Sequence, residues 1–95
     1  MLIETPYKAG DIVSLKIASG EEVIGKLHEE SPVKITIENP LMVIANQQGL
    51  GLAPFMFTIG QDRKVPLNAN SILCIVKSDD DTAKQYIQST TGIAL

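Results

Sequence analysis

Few side chains in this sequence could do chemistry, and their spacing limits what that chemistry can be. His28 is the only histidine and Cys74 the only cysteine. One of each cannot make a zinc-binding cluster, and a lone cysteine cannot form an intrachain disulfide. His28 has no Ser, Cys or Asp placed for a triad, and beside Glu29 it reads as an exposed strand residue. Cys74 lies inside the apolar run Ile72-Leu73-Cys74-Ile75-Val76 and reads as a small core hydrophobe rather than a nucleophile. Asp79-Asp80-Asp81 are consecutive, so their carboxylates do not converge on one cation; they suit a helix N-terminus, where free N–H groups and the macrodipole favour negative charge. Gly49-Leu50-Gly51 lacks the strand-to-helix setting of a phosphate-binding loop. No catalytic constellation is left, so the reading is a non-enzyme with no cofactor and no metal.

What remains is a small polar set with binding rather than catalytic character. Asn68 and Asn70 carry amides that both donate and accept, and Lys34 carries charge, so the three could contact a base or ribose. The alternative is that Lys34 is the polar face of a strand and the two Asn form an Asx-type turn. Arg63-Lys64, on an expected hairpin tip, reads as a solvated turn or a minor phosphate patch.

These residues must be positioned by strands. Val13, Leu15 and Ile17 alternate with Ser14 and Lys16, Ser19-Gly20 signals a tight turn, and Glu21 to Glu30 resumes the alternation with Val23, Gly25 and Leu27 on one face. Ser31-Pro32 turns the chain again before Val33, Ile35 and Ile37 alternate with Lys34, Thr36 and Glu38. Asn39-Pro40 should bend this third strand without ending it, because Leu41 to Ala45 follows at once as a β-prone run. Asn46 to Gly51 reads as a loop, Phe55 to Ile59 as the next strand and Gly60 to Arg63 as a turn. Val65 to Leu67 leads into a compact turn at Asn68-Ala69-Asn70, and Ile72 to Val76 closes the β region. After Ser78, the spacing of Ala83, Tyr86, Ile87 and Thr90 predicts a short helix over about 80–91, which Gly92 stops.

Length and composition agree with this plan. Ninety-five residues suffice for one domain spanning 1–95, and two Phe, two Tyr and no Trp leave a core of Val, Ile and Leu. A domain this small buries only about 60–65% of its unfolded surface, which makes self-association a natural source of further burial. The net charge of −3 and a pI near 4.9 argue against non-specific nucleic-acid binding by a basic surface. The N-terminal residues lack the pattern of a signal peptide and no apolar run reaches the roughly 20 residues of a membrane span, so a soluble, cytoplasmic protein is expected.

The segment Val13 to Leu27 resembles the first motif of the Sm-like family: alternating apolar residues, a turn glycine at Gly20, another at Gly25 and Leu27 two positions on. Leu67-Asn68-Ala69-Asn70-Ser71-Ile72 is similar to the second Sm motif, in which an apolar residue precedes a basic residue, Gly, a small polar residue, any residue and Val or Ile. The small size and divergent motifs also resemble small Sm-like proteins of bacterial viruses. The expected fold is therefore all-β: a small SH3-like or Sm-like barrel of five strongly bent antiparallel strands, residues about 12–76, with a short C-terminal helix.

The resemblance implies a homo-oligomeric ring of roughly five to seven copies, with the strands flanking the Asn68 turn pairing between neighbours, and it implies single-stranded RNA as a partner. The departures carry equal information. Uridine-binding Sm proteins place an Asp and then a Met-Asn pair in the loop after the second strand; here Val33 falls at the Met position and Lys34 at the Asn position. Asn68 replaces the basic residue of the second motif and Ala69 its Gly. Glu29 and Glu30 fall near the loop that the family turns toward its pore, where repeated carboxylates repel phosphate. An RNA-associated ring and a ring serving as a protein-interaction scaffold are both consistent with this pattern. A monomeric peptide-binding barrel fits less well, because aromatic residues are scarce.

Overall fold

The computed structural model describes residues 7–60 and 63–91. The expected turn residues 61–62, the N-terminal residues 1–6 and the helix stop at Gly92 lie outside the described residues. Six strands form one antiparallel sheet: β1 (Ile12–Ile17), β2 (Glu22–Glu30), β3 (Lys34–Asn46), β4 (Gly49–Pro54), β5 (Lys64–Asn68) and β6 (Ile72–Lys77). A 3-10 turn, Ala69–Ser71, joins the last two strands, and a helix, α1 (Asp80–Thr91), follows. The hydrogen-bonded order is β4-β3-β2-β1-β6, with β5 beside the first half of β3. Among the described residues no pairing joins the two ends of this path.

Alternation creates the core. Val13, Leu15 and Ile17 of β1, Val23 and Leu27 of β2, and Ile35 and Ile37 of β3 form one buried cluster, flanked by partly buried Tyr7, Phe55, Leu67, Ile72 and Ile75. Because side chains alternate with period two, these residues must lie on one face of the sheet. Ile24 is also fully buried although it is out of phase with Val23 and Leu27. The opposite face is thus covered as well near β2, where Ile12, Lys26, Tyr86 and Ile87 line one open groove.

The sheet bends where β2 and β3 lose register. The pairing shifts between Ile24 and Lys26 of β2, opposite a kink in β3 at Asn39, whose φ is 50°, and Pro40. Gly25 sits in that corner: a Cβ there would lie 2.2 Å from Ile37 Cγ2 and 3.1 Å from the Glu38 carbonyl oxygen. The missing side chain therefore lets the two backbones approach and the sheet fold over. Helix α1 closes the outside of this corner. Its buried Tyr86 directs its hydroxyl toward the carbonyls of Glu38 (2.8 Å) and Asn39 (2.9 Å) at the kink, donating to them. Asp79 caps the helix by accepting from the Thr82 N–H at 2.7 Å, and this backbone hydrogen bond holds its carboxyl below the usual range.

Three sequence expectations change. Residues 46–51 do not form a broad loop: Asn46 pairs with Gly49, Asn46 Oδ1 accepts from the Gln48 N–H, and Gly49, at φ 121°, opens a hairpin directly into β4. Phe55 to Ile59, expected as a strand, is irregular; it is apolar because Phe55 packs on the core, not because it joins a ladder. Cys74, expected in the core, is exposed. Cys74 pairs with outward-facing Lys16, next to core-facing Ile75, and the β1–β6 pairing then skips Leu73 to place Ile72 opposite Ile17, so the bulge leaves Leu73 outside as well while Ile72 and Ile75 face the core.

Candidate functional site

Of the sequence-selected residues, the fold brings together Lys34 and Asn68. They are direct cross-strand partners at the end of the β3–β5 ladder, and both are exposed. The Ala69 N–H donates to the Val33 carbonyl at 3.0 Å, just outside this pair. That bond makes Lys34–Asn68 the closer, non-hydrogen-bonded type of antiparallel pair, with Cα atoms about 4.5 Å apart and side chains on the same face. It also ties the β2–β3 turn to the turn after β5.

Each turn is built by its own side chains. Ser31 Oγ accepts from the N–H groups of Val33 (3.3 Å) and Lys34 (3.2 Å), and the Ser31 N–H donates to the Lys34 carbonyl at 2.8 Å. This arrangement pushes Val33 out, and it is 72% exposed. On the other side, Asn68 Oδ1 accepts from the Asn70 N–H at 3.0 Å and caps the 3-10 turn. The Asx-turn reading of these two residues is therefore correct for the Asn68 oxygen, while the Asn68 amino group belongs to the surface. Glu29 and Glu30, at the end of β2, are exposed on the same approach, opposite Thr36 and Ile35 of β3. Glu30 is held by a hydrogen bond from the Tyr7 hydroxyl at 3.0 Å. Burial and this bond together raise the Tyr7 phenol above its ordinary pKa.

The remaining candidates are elsewhere. Lys64 pairs with Glu38 at the far end of the same ladder, four strand positions or about 13 Å from Lys34–Asn68, so Arg63-Lys64 does not join the site. His28 is exposed on β2, Gly49 and Gly51 belong to the β3–β4 hairpin, and the aspartates cap α1. Among the described residues no group of His, Cys, Asp or Glu is placed to hold a metal ion, and no helix is long and apolar enough to cross a membrane.

Two further features lie beside this turn. The outer edges of β5 and β6, on either side of the 3-10 turn, have no described strand partner. On β6, Leu73 at the bulge is 67% exposed and Val76, opposite Ser14, is 55% exposed. Exposed aliphatic side chains beside an unpaired edge form a surface suited to strand addition.

Comparison with solved structures decides the architecture. A heptameric archaeal Sm protein superimposes with a TM-score of 0.53 over 75% of this chain and 90% of its own, at 15% sequence identity. The fold is Sm-like. No protein-family model and no curated protein sequence matches the chain. Within this Sm-like fold, Gly20 makes the β1–β2 turn with φ 110° and Gly25 the bend, which accounts physically for the first motif. Leu67 contacts the core and Asn68 caps the turn, which accounts for the second.

Proposed function

We propose that this chain is a non-catalytic, ring-forming Sm-like module that contacts single-stranded RNA through Lys34, Asn68 and Asn70. The observation that carries this reading is the cross-strand placement of Lys34 against Asn68, on two turns tied together by the Ala69–Val33 hydrogen bond. An ammonium beside an outward amide can hold a phosphate and a neighbouring oxygen atom at once. Ring formation is supported by the likeness to a heptameric archaeal Sm protein and by the two unpaired edges that flank the same turn, one of them bordered by Leu73 and Val76. Repetition around a ring would multiply a site that is feeble in one copy.

Glu29 and Glu30 oppose this binding, and they favour a second reading in which the ring is a protein-interaction scaffold. The exposure of Phe57, 81%, supports the same alternative. One sample distinguishes the two. Mass in solution is measured by light scattering, followed by fluorescence anisotropy with labelled oligo-U and oligo-A at low and physiological salt. A ring-sized mass with RNA binding that weakens in Lys34→Ala and Asn68→Ala upholds the proposal. A ring that ignores RNA transfers the assignment to the scaffold, and a monomer removes both.

A further inference from the structure

We infer, on the basis of the proposed RNA contact, that the Lys34–Asn68 pair recognises acceptor oxygen and nitrogen atoms alone, so that it holds the strand without reading the N3–H that distinguishes uracil from cytosine and adenine. The reasoning begins with the orientation of one amide. A backbone N–H can only donate, so the Asn68 atom 3.0 Å from the Asn70 nitrogen must be the carbonyl oxygen. The turn thus commits Oδ1 inward and leaves the amino group as the outward face of the side chain. Lys34, its closest cross-strand partner, carries an ammonium that has donors and no acceptor. Asn70 lies two positions beyond the last ladder pair and is not in register with Lys34. The two adjacent side chains therefore present only donors.

A donor-only pair cannot accept a hydrogen from a base, so it is blind to a base's own N–H. Uracil differs from cytosine and adenine on its Watson–Crick edge through its N3–H, and reading that hydrogen needs an acceptor. Every base, and every phosphate, offers an acceptor to an ammonium or an amino group. Stacking does not supply the missing selectivity either, because the exposed neighbour at this turn is Val33. The rings are elsewhere: Tyr7 and Phe55 pack against the core, Tyr86 is buried beneath α1, and Phe57 follows β4.

The test measures anisotropy of labelled oligo-U, oligo-A and oligo-C on the full chain, with Asn68→Ser as the informative variant. Serine keeps a capping oxygen for the Asn70 N–H and removes the amino donors, so the melting temperature should hold while affinity falls. The expected result is that the three oligomers bind within about threefold of one another and that Asn68→Ser weakens all three equally, by roughly three- to tenfold. Asn70→Ala should leave the ratios among them unchanged. Preference for oligo-U by more than about tenfold would overturn the inference and leave the RNA-binding proposal standing. So would an Asn68→Ser protein that binds all three as tightly as the parent. Failure of all three oligomers to bind the parent chain would overturn the RNA-binding proposal itself, and this inference with it.

Discussion

Replacing Gly25 by alanine adds one methyl group, and the structure says where that group would go. Its carbon would fall 2.2 Å from Ile37 Cγ2, 3.1 Å from the Glu38 carbonyl oxygen and 3.4 Å from Pro40 Cα. Ordinary carbon–carbon contacts are about 3.5–4.0 Å. Ile37 is fully buried and cannot swing aside, and Glu38 and Pro40 present backbone atoms, so β2 and β3 must separate at the bend. Overpacking of this kind costs about 1–3 kcal/mol. The opposing effect, a stiffer unfolded chain, stabilises a Gly→Ala variant by about 0.4–1 kcal/mol, so the clash wins. In a domain of this size each kcal/mol shifts Tm by about 4–8 °C, so a net loss of about 1.3 kcal/mol, and at most about 2.6, lowers Tm by roughly 5–10 °C and at most about 20 °C in a thermal melt followed by circular dichroism. Gly25→Val should be worse and should also reduce the assembled mass seen by light scattering. Adding Ile37→Ala tests the cause. That change alone costs about 2–5 kcal/mol, but it removes Cγ2, so the double variant should be more stable than the summed single effects by about 1 kcal/mol or more. A Gly25→Ala protein that melts at or above the parent temperature, or a strictly additive double variant, would refute the close-approach argument.

Tyr86→Phe deletes a hydroxyl that serves two carbonyls at the β3 kink; the cost should be about 1–2 kcal/mol by urea titration. Burial pushes the Tyr86 phenol up to about 12 from an ordinary 10.0, so the folded state favours the protonated form. That contribution is complete below pH 10 and is lost as pH rises toward 12; the difference between parent and Tyr86→Phe stability should shrink over this window. Lys34→Ala should weaken RNA binding and reduce the magnitude of the log–log salt slope by about 0.7, measured by anisotropy across a salt series. Asp79→Ala should lower Tm and destabilise α1 while Asp79→Asn, which keeps the capping oxygen, should not. Because the Asp79 carboxyl is held below its ordinary pKa, the stabilisation it gives is present above the unfolded value and fades as pH falls through the folded one.

What could be read from the sequence was what a short window encodes. The alternation of Val13-Leu15-Ile17 and of Ile35-Ile37 gave strands with the correct inward face, Gly20 and Gly25 marked the turn and bend, and Asp79 with the Tyr86 spacing located the helix. Pairing choices were not local. Phe55 to Ile59 has strand composition, but the partner edge it would need is occupied by Gly49–Pro54, a segment whose glycines hide its extended conformation. The exposure of Cys74 follows from its pairing with outward-facing Lys16, and that of Leu73 from a one-residue slip between β1 and β6; neither alters the apolar character of the run. At the candidate site, residue types suggested Lys34 and Asn68 separately. Their juxtaposition is a long-range property of the β3–β5 register, and so is the reason that only one end of the Asn68 amide remains on offer.

Pro66 lies opposite Thr36, two positions along the ladder from the Lys34–Asn68 pair, and so has the same non-hydrogen-bonded geometry; the nitrogen that lacks a hydrogen is directed away from β3. The β3–β5 ladder loses nothing, but the free side of β5 has a gap in its row of donors between Lys64 and Asn68. An incoming strand meets an incomplete template, which discourages the indiscriminate sheet extension that leads to fibrils. The proline is thus placed as a gatekeeper on the free edge of β5, against unplanned strand pairing.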